Sequence, residues 1–103
     1  MAEDKEVGTD QEGTARALED GVVVYWRPGC MFCVHLRFRL RRAKLEHTEV
    51  NIRQDPEAAA FVRSVADGNE TVPTVTVAGK AMVNPSMKQL REAVAAHAPH
   101  LLT

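Results

Sequence analysis

The chain has 103 residues, 45% apolar and 26% charged, which fits one small domain and leaves too little length for two independent cores. Its formal net charge is -1 and its aromatic content is 5%, so the overall balance implies neither a nucleic-acid partner nor a membrane surface. No apolar run approaches a membrane span, and the acidic start lacks the basic and apolar stretches of a secretory signal, which makes the cytoplasm the expected compartment.

Residues 1–20 hold Glu3, Asp4, Glu6, Asp10, Glu12, Glu19 and Asp20 against Lys5 and Arg16, without apolar periodicity. Such a segment reads as a disordered acidic leader, ahead of a domain spanning 21–103. Gly21 opens Val22-Val23-Val24-Tyr25-Trp26, a short β-branched and aromatic run that predicts a strand buried on both faces, closed by Arg27-Pro28-Gly29. The stretch 30–43 contains a conflict. Val34, Leu36, Phe38 and Leu40 alternate with His35, Arg37, Arg39 and Arg41, which taken alone means strand. Helix is the better reading, because Cys33, Leu36, Leu40 and Ala43 form one stripe at spacings of three and four and Val34 and Phe38 a second. The cations Arg41, Arg42 and Lys44 suit its C-terminus, and two stripes predict a helix packed on two neighbours.

Thr48 to Ile52 alternates as a strand, and Asp55-Pro56-Glu57 supplies a cap, a first-turn proline and an acid for a helix through Ala66, stopped by Asp67-Gly68-Asn69. Thr71-Val72-Pro73-Thr74 reads as a turn entering an edge strand, where a missing N–H is tolerated. Thr74–Val77 and Lys80–Val83 flank Ala78-Gly79 as a hairpin, and Pro85 or Ser86 starts a last helix ending near His97. The order β-α-β-α-β-β-α predicts an α/β domain with a mixed four-stranded sheet flanked by helices.

The two cysteines carry the chemistry. Cys30 falls at the turn between the first strand and the first helix, where unpaired N–H groups and the helix dipole favour a thiolate, with Arg27 adding a cation. Cys33 lies one turn further in, close enough to attack a mixed disulfide on Cys30 but less exposed. Inert packing of both thiols is an alternative, and so is structural zinc. His35, His47, His97 and His100 form no close His pair, and there is no second Cys-x-x-Cys, so no metal site is expected. The basic run 37–44 reads as a solvated face, without the aromatic platform that nucleic-acid binding would use.

The stretch Val22 to Cys33, followed by Thr71-Val72-Pro73-Thr74, resembles a glutaredoxin, a branch of the thioredoxin fold, over residues 21–96. Ala58 to Val65, Gly68 to Pro73 and Asn84-Pro85-Ser86 look most like the mycoredoxins, which use mycothiol in place of glutathione. The resemblance implies that Cys30 is the nucleophile and that Cys33 can close a redox-active disulfide with it. It also implies that Pro73 follows a cis bond, with the Val72 backbone turned toward Cys30, beside Thr71. Arg27 matches a basic position that helps bind the small thiol, Phe32 an aromatic wall of the groove, and Asn84 and Ser86 the start of a helix that holds a polar end of the thiol. Met31 and Phe32 stand where many relatives have proline and tyrosine, and Met82 to Ser86 replace a common pair of glycines.

The function so implied is reduction of protein mixed disulfides by a monomeric enzyme, with mycothiol or glutathione as reducing co-substrate and no tightly bound cofactor. A dithiol electron donor to ribonucleotide reductase, itself reduced by thioredoxin reductase, is the first alternative. A non-catalytic iron–sulfur carrier or binding module is the second.

Overall fold

The computed structural model describes residues 21–102, so the acidic leader expected over 1–20 lies outside the described residues. Strand β1 (Val22–Trp26) is followed by helix α1 (Met31–Arg42), β2 (Thr48–Asn51), α2 (Pro56–Val65), β3 (Thr74–Val77), β4 (Lys80–Val83) and α3 (Met87–His97), with a final 3₁₀ turn over Pro99–Leu102. The sheet order is β2-β1-β3-β4. β1 runs parallel to β2, with Val24 opposite Glu49, and antiparallel to β3, with Val24 opposite Val75. The expected mixed four-stranded α/β architecture is therefore present.

Alternation along β1 builds two cores. Val22 and Val24 join Leu36, Leu40, Val75, Val77, Leu90 and Val94 on the face covered by α1 and α3. Val23 and Tyr25 join Cys33, Ile52, Ala58, Ala59 and Val62 on the face covered by α2, where the Tyr25 and Phe61 rings lie 5.2 Å apart. Each fully buried valine or leucine contributes about 1.5–3 kcal/mol relative to exposure, so β1, buried on both faces, holds the two layers together. Within β3 the Thr76 hydroxyl is buried without a hydrogen-bond partner.

Local sequence explains where the elements start. Asp55 caps α2 by accepting from the Ala58 N–H at 3.1 Å, ahead of Pro56. Ser86 and Gln89 form a reciprocal capping box at α3. Ala78 and Gly79 both have positive φ, 50° and 83°, as a two-residue turn matched to strand twist requires.

Two expectations are corrected. β3 is not an edge strand, since it lies between β1 and β4 with all four residues buried. Pro73 is accommodated because it precedes the ladder, which begins at Thr74, so its absent N–H removes no rung. The second stripe of α1 does not pack: Val34 and Phe38 are 51% and 58% exposed, and Ala43 at the end of the first stripe is exposed as well. α1 does meet both cores, but along one stripe, with Cys33 reaching the α2 side and Leu36 and Leu40 the α3 side. Among the described residues no helix is long and apolar enough to cross a membrane.

Candidate active site

Gly29, at φ 84°, turns the chain from β1 into α1, a conformation that a side chain would strain. Cys30 follows as the N-cap in extended conformation, and its sulfur accepts the Cys33 backbone N–H at 3.2 Å. In a capping position that acceptor is normally a hydroxyl or carboxylate oxygen; here it is a reactive sulfur. A helix-end N–H thus points at the atom on which negative charge would develop.

The second contact of Cys30 comes from 42 residues away. Its thiol donates to the Val72 carbonyl at 3.7 Å. The Val72–Pro73 bond is cis, as the motif led one to expect. Around it, the Thr74 hydroxyl donates to the Thr71 carbonyl at 2.8 Å and the Asn84 N–H donates to the Pro73 carbonyl at 2.8 Å. The Val72 side chain packs in the α2-side core, and its backbone N–H has no hydrogen-bond partner among the described residues.

The two free thiols sit in different surroundings. Cys30 is half-buried, whereas Cys33 is fully buried. Burial first, then its hydrogen bond with Cys30, pushes the Cys33 thiol up to about 12, although the backbone and charge of Arg27 act the other way. At neutral pH Cys33 is a thiol held in reserve.

Beside the cysteines a cavity of about 210 Å³ is lined by Phe32, Pro73, Asn84 and Ser86, together with His35, Leu36, Arg39, Pro85 and Met87. Four residues singled out in the sequence therefore share one groove with the thiols' helix. Arg27, Thr71 and Val72 do not line it: Arg27 acts on Cys33, the Val72 carbonyl accepts from Cys30, and the Thr71 carbonyl accepts from Thr74 instead. Phe32 is 68% exposed, a wall without cover. Ser86 accepts the Gln89 N–H at 3.1 Å, which leaves its own hydroxyl proton free to donate outward, so cap and binding group are compatible. The sequence assigns His35 no role in binding and places Arg39 on a solvated basic face. Their spacing of four from each other, on the helix that starts at Cys30, was the available signal.

The other side of α1 is tied down. Glu49 of β2 accepts from Arg37 Nε at 3.0 Å, Arg41 at 2.9 Å and His47 at 2.8 Å, while the Arg37 guanidinium lies 3.8 Å over the Trp26 ring. Burial acts most strongly on the Glu49 carboxyl and raises it, but His47, Arg37 and Arg41 together outweigh burial and hold it below its ordinary value.

The glutaredoxin family model matches residues 22–82 of this chain. A Mycobacterium tuberculosis protein provisionally named a glutaredoxin is 37% identical over 71 residues, covering 68% of this chain and 84% of that protein, and is found in two strains. Among solved structures, a buckwheat glutaredoxin–glutathione complex superposes with a TM-score of 0.63 at 16% identity, over 95% of this chain and 92% of the other. NrdH-redoxin of Escherichia coli, described as glutaredoxin-like with a thioredoxin-like activity profile, superposes with a TM-score of 0.57 at 20% identity, over 68% and 91%. Both structural likenesses are likenesses of fold.

Proposed function

The chain belongs to the glutaredoxin family, and from that premise we propose that it is a thiol–disulfide oxidoreductase that reduces mixed disulfides between proteins and a small thiol, mycothiol or glutathione, through Cys30. The observation that carries this reading is the double contact of the Cys30 sulfur: the Cys33 N–H at the helix end on one side and the Val72 carbonyl on the other.

The Cys30 thiolate attacks the small thiol's sulfur in the mixed disulfide. The protein thiolate leaves and takes up a proton, and Cys30 now holds the small thiol in a disulfide. A second small-thiol molecule, as its thiolate, attacks that sulfur, releasing the oxidised small-thiol dimer and regenerating the Cys30 thiolate. The helix-end N–H groups stabilise charge on Cys30 before attack and after release. Phe32 walls the bound thiol, Arg27 supplies positive charge beside the cysteines, and Asn84 and the free Ser86 hydroxyl proton offer polar contacts at the start of α3.

A second route is supported by the place of Cys33 one turn into α1, where its backbone N–H already bonds the Cys30 sulfur. Cys33, once deprotonated, attacks the sulfur of Cys30 in a mixed disulfide, expels the bound thiolate and closes a Cys30–Cys33 disulfide, which an external dithiol or a flavin reductase must reopen. That is the chemistry a dithiol donor to ribonucleotide reductase would use. The test is turnover of one peptide mixed disulfide with mycothiol, glutathione, or thioredoxin reductase and NADPH in turn. Turnover with either small thiol supports the first route, turnover with the reductase alone favours the second, and turnover with none removes the activity.

A further inference from the structure

The arginines of α1 divide into two sets. Arg37 and Arg41, four apart, face β2 and are consumed by Glu49. Arg39 and Arg42 point to the opposite side, where they meet Arg91 of α3 around a cavity of about 430 Å³ that also includes Ala43 and Met87. None of these three arginines has an acidic partner among the described residues. Three guanidinium groups gathered on two helices repel one another, and beyond the match of Arg39 and Arg42 to the C-terminal end of the α1 dipole no ion pair among the described residues holds them there.

This basic cavity continues the groove at the active site. Arg39 and Met87 line both, so a path runs from Phe32 and Pro73 down the seam between α1 and α3 to Arg42 and Arg91. At 1.5 Å per residue along α1, Arg39 lies about 13 Å and Arg42 about 18 Å from Cys30. A tripeptide-sized thiol, extended, spans only about 10 Å, so a small thiol bonded to Cys30 can meet Arg39, which lines its groove, but stops short of Arg42. A polypeptide does not.

We propose that Arg39, Arg42 and Arg91 form a docking site for an acidic stretch of the protein substrate, placed about four to five residues from the cysteine whose disulfide Cys30 attacks. The proposal rests on the oxidoreductase reading and names the substrate class that reading leaves open. Arginine suits this task because its planar fork pairs with carboxylates in two-point contacts. Exposed pairs are individually weak and salt-sensitive, so three act chiefly by raising encounter and lowering KM, leaving the exchange step at sulfur unchanged.

The experiment uses the full chain and two peptides, each with one cysteine in mixed disulfide with the small thiol that supports turnover. One peptide carries aspartates four and five positions from that cysteine and the other asparagines. At low ionic strength the acidic peptide should be favoured about tenfold in kcat/KM, through KM, and the preference should fall to about twofold or less in 0.5 M salt. The variant R42Q/R91Q should lose the preference yet turn over the asparagine peptide like the parent, and R42E/R91E should come to favour a lysine-bearing peptide. That last reversal also shows that the variant is folded. Equal kcat/KM for both peptides, or a preference that survives R42Q/R91Q, overturns the docking site alone. Absence of peptide preference combined with arginine-dependent binding of a single-stranded oligonucleotide overturns it in favour of nucleic acid. Failure to reduce either peptide overturns the oxidoreductase reading and the docking site with it.

Discussion

The first turn of α1 and its last two turns are built to opposite ends. The first turn leaves Met31 and Phe32 64% and 68% exposed and spends the Cys33 N–H on the sulfur of Cys30. The last two turns are anchored, with Arg37 and Arg41 on Glu49 and Arg37 stacked over Trp26. One helix thus carries a reactive end that must stay accessible and a far end that holds it to the sheet. The difference teaches that accessibility at the thiol need not cost the helix its position, because the tether acts two turns away.

The largest effect should come from breaking the reactive end. Cys30→Ser is expected to lower mixed-disulfide turnover by a factor of about a thousand or more, as loss of a nucleophile does, whereas Cys33→Ser should keep the small-thiol route within about tenfold. A coupled NADPH assay on both variants checks this, and equal loss in the two would remove the division of roles.

Alkylation sharpens the contrast inside that first turn. In Cys30→Ser the remaining Cys33 is still buried, and burial, the largest of the causes that lift it to about 12 in the parent, remains, so at pH 8 it should react more slowly than a free cysteine by about a hundredfold or more. Its rate should rise only as pH approaches that value. Iodoacetamide labelling followed by mass spectrometry reads this directly, and fast labelling at pH 8 would show that Cys33 is not held in reserve.

At the anchored end, Glu49→Gln should cost about 2 kcal/mol of stability in urea unfolding, because it strips the shared carboxylate from two arginines and His47. The lowered Glu49 value means that the folded protein holds this proton less tightly than the unfolded chain does. Its contribution is therefore fully present above the ordinary carboxylate value of about 4.3 and is lost as pH falls through the lower folded value. The stability gap between parent and Glu49→Gln should close over that acidic range, and a gap independent of pH would exclude the linkage.

The smallest effect tests the side of α1 that packs on nothing. Phe38→Gln should change stability by less than about 0.5 kcal/mol, since its ring is 58% exposed, and a loss above about 2 kcal/mol would restore the buried second stripe.

Much of this was written locally. The alternation in β1, the Asp55 and Ser86 caps, the Ala78-Gly79 turn and the position of Cys30 between strand and helix each depend on residues within a few positions of one another, so their pattern could be read from the chain. The family likeness added Cys33 as partner and the bond before Pro73 as cis. What the chain did not reveal was which apolar stripe of α1 would be buried, because periodicity shows what a helix can cover and not how many neighbours arrive to be covered.

The same limit applies to charge and to the site. Four arginines of α1 look alike in sequence. Glu49 claims Arg37 and Arg41 because β2 pairs in parallel with β1 and brings that carboxylate beneath them, while α3 brings Arg91 to the other two. The Val72 carbonyl likewise reaches Cys30 across 42 residues only because β3 enters the sheet centre next to β1. Residue type, cap and period are properties of neighbours in sequence and were determined by the chain itself. Which thiol faces which carbonyl, and which cation stays unpaired, were decided by strand order and helix packing, which bring together groups that no local pattern relates.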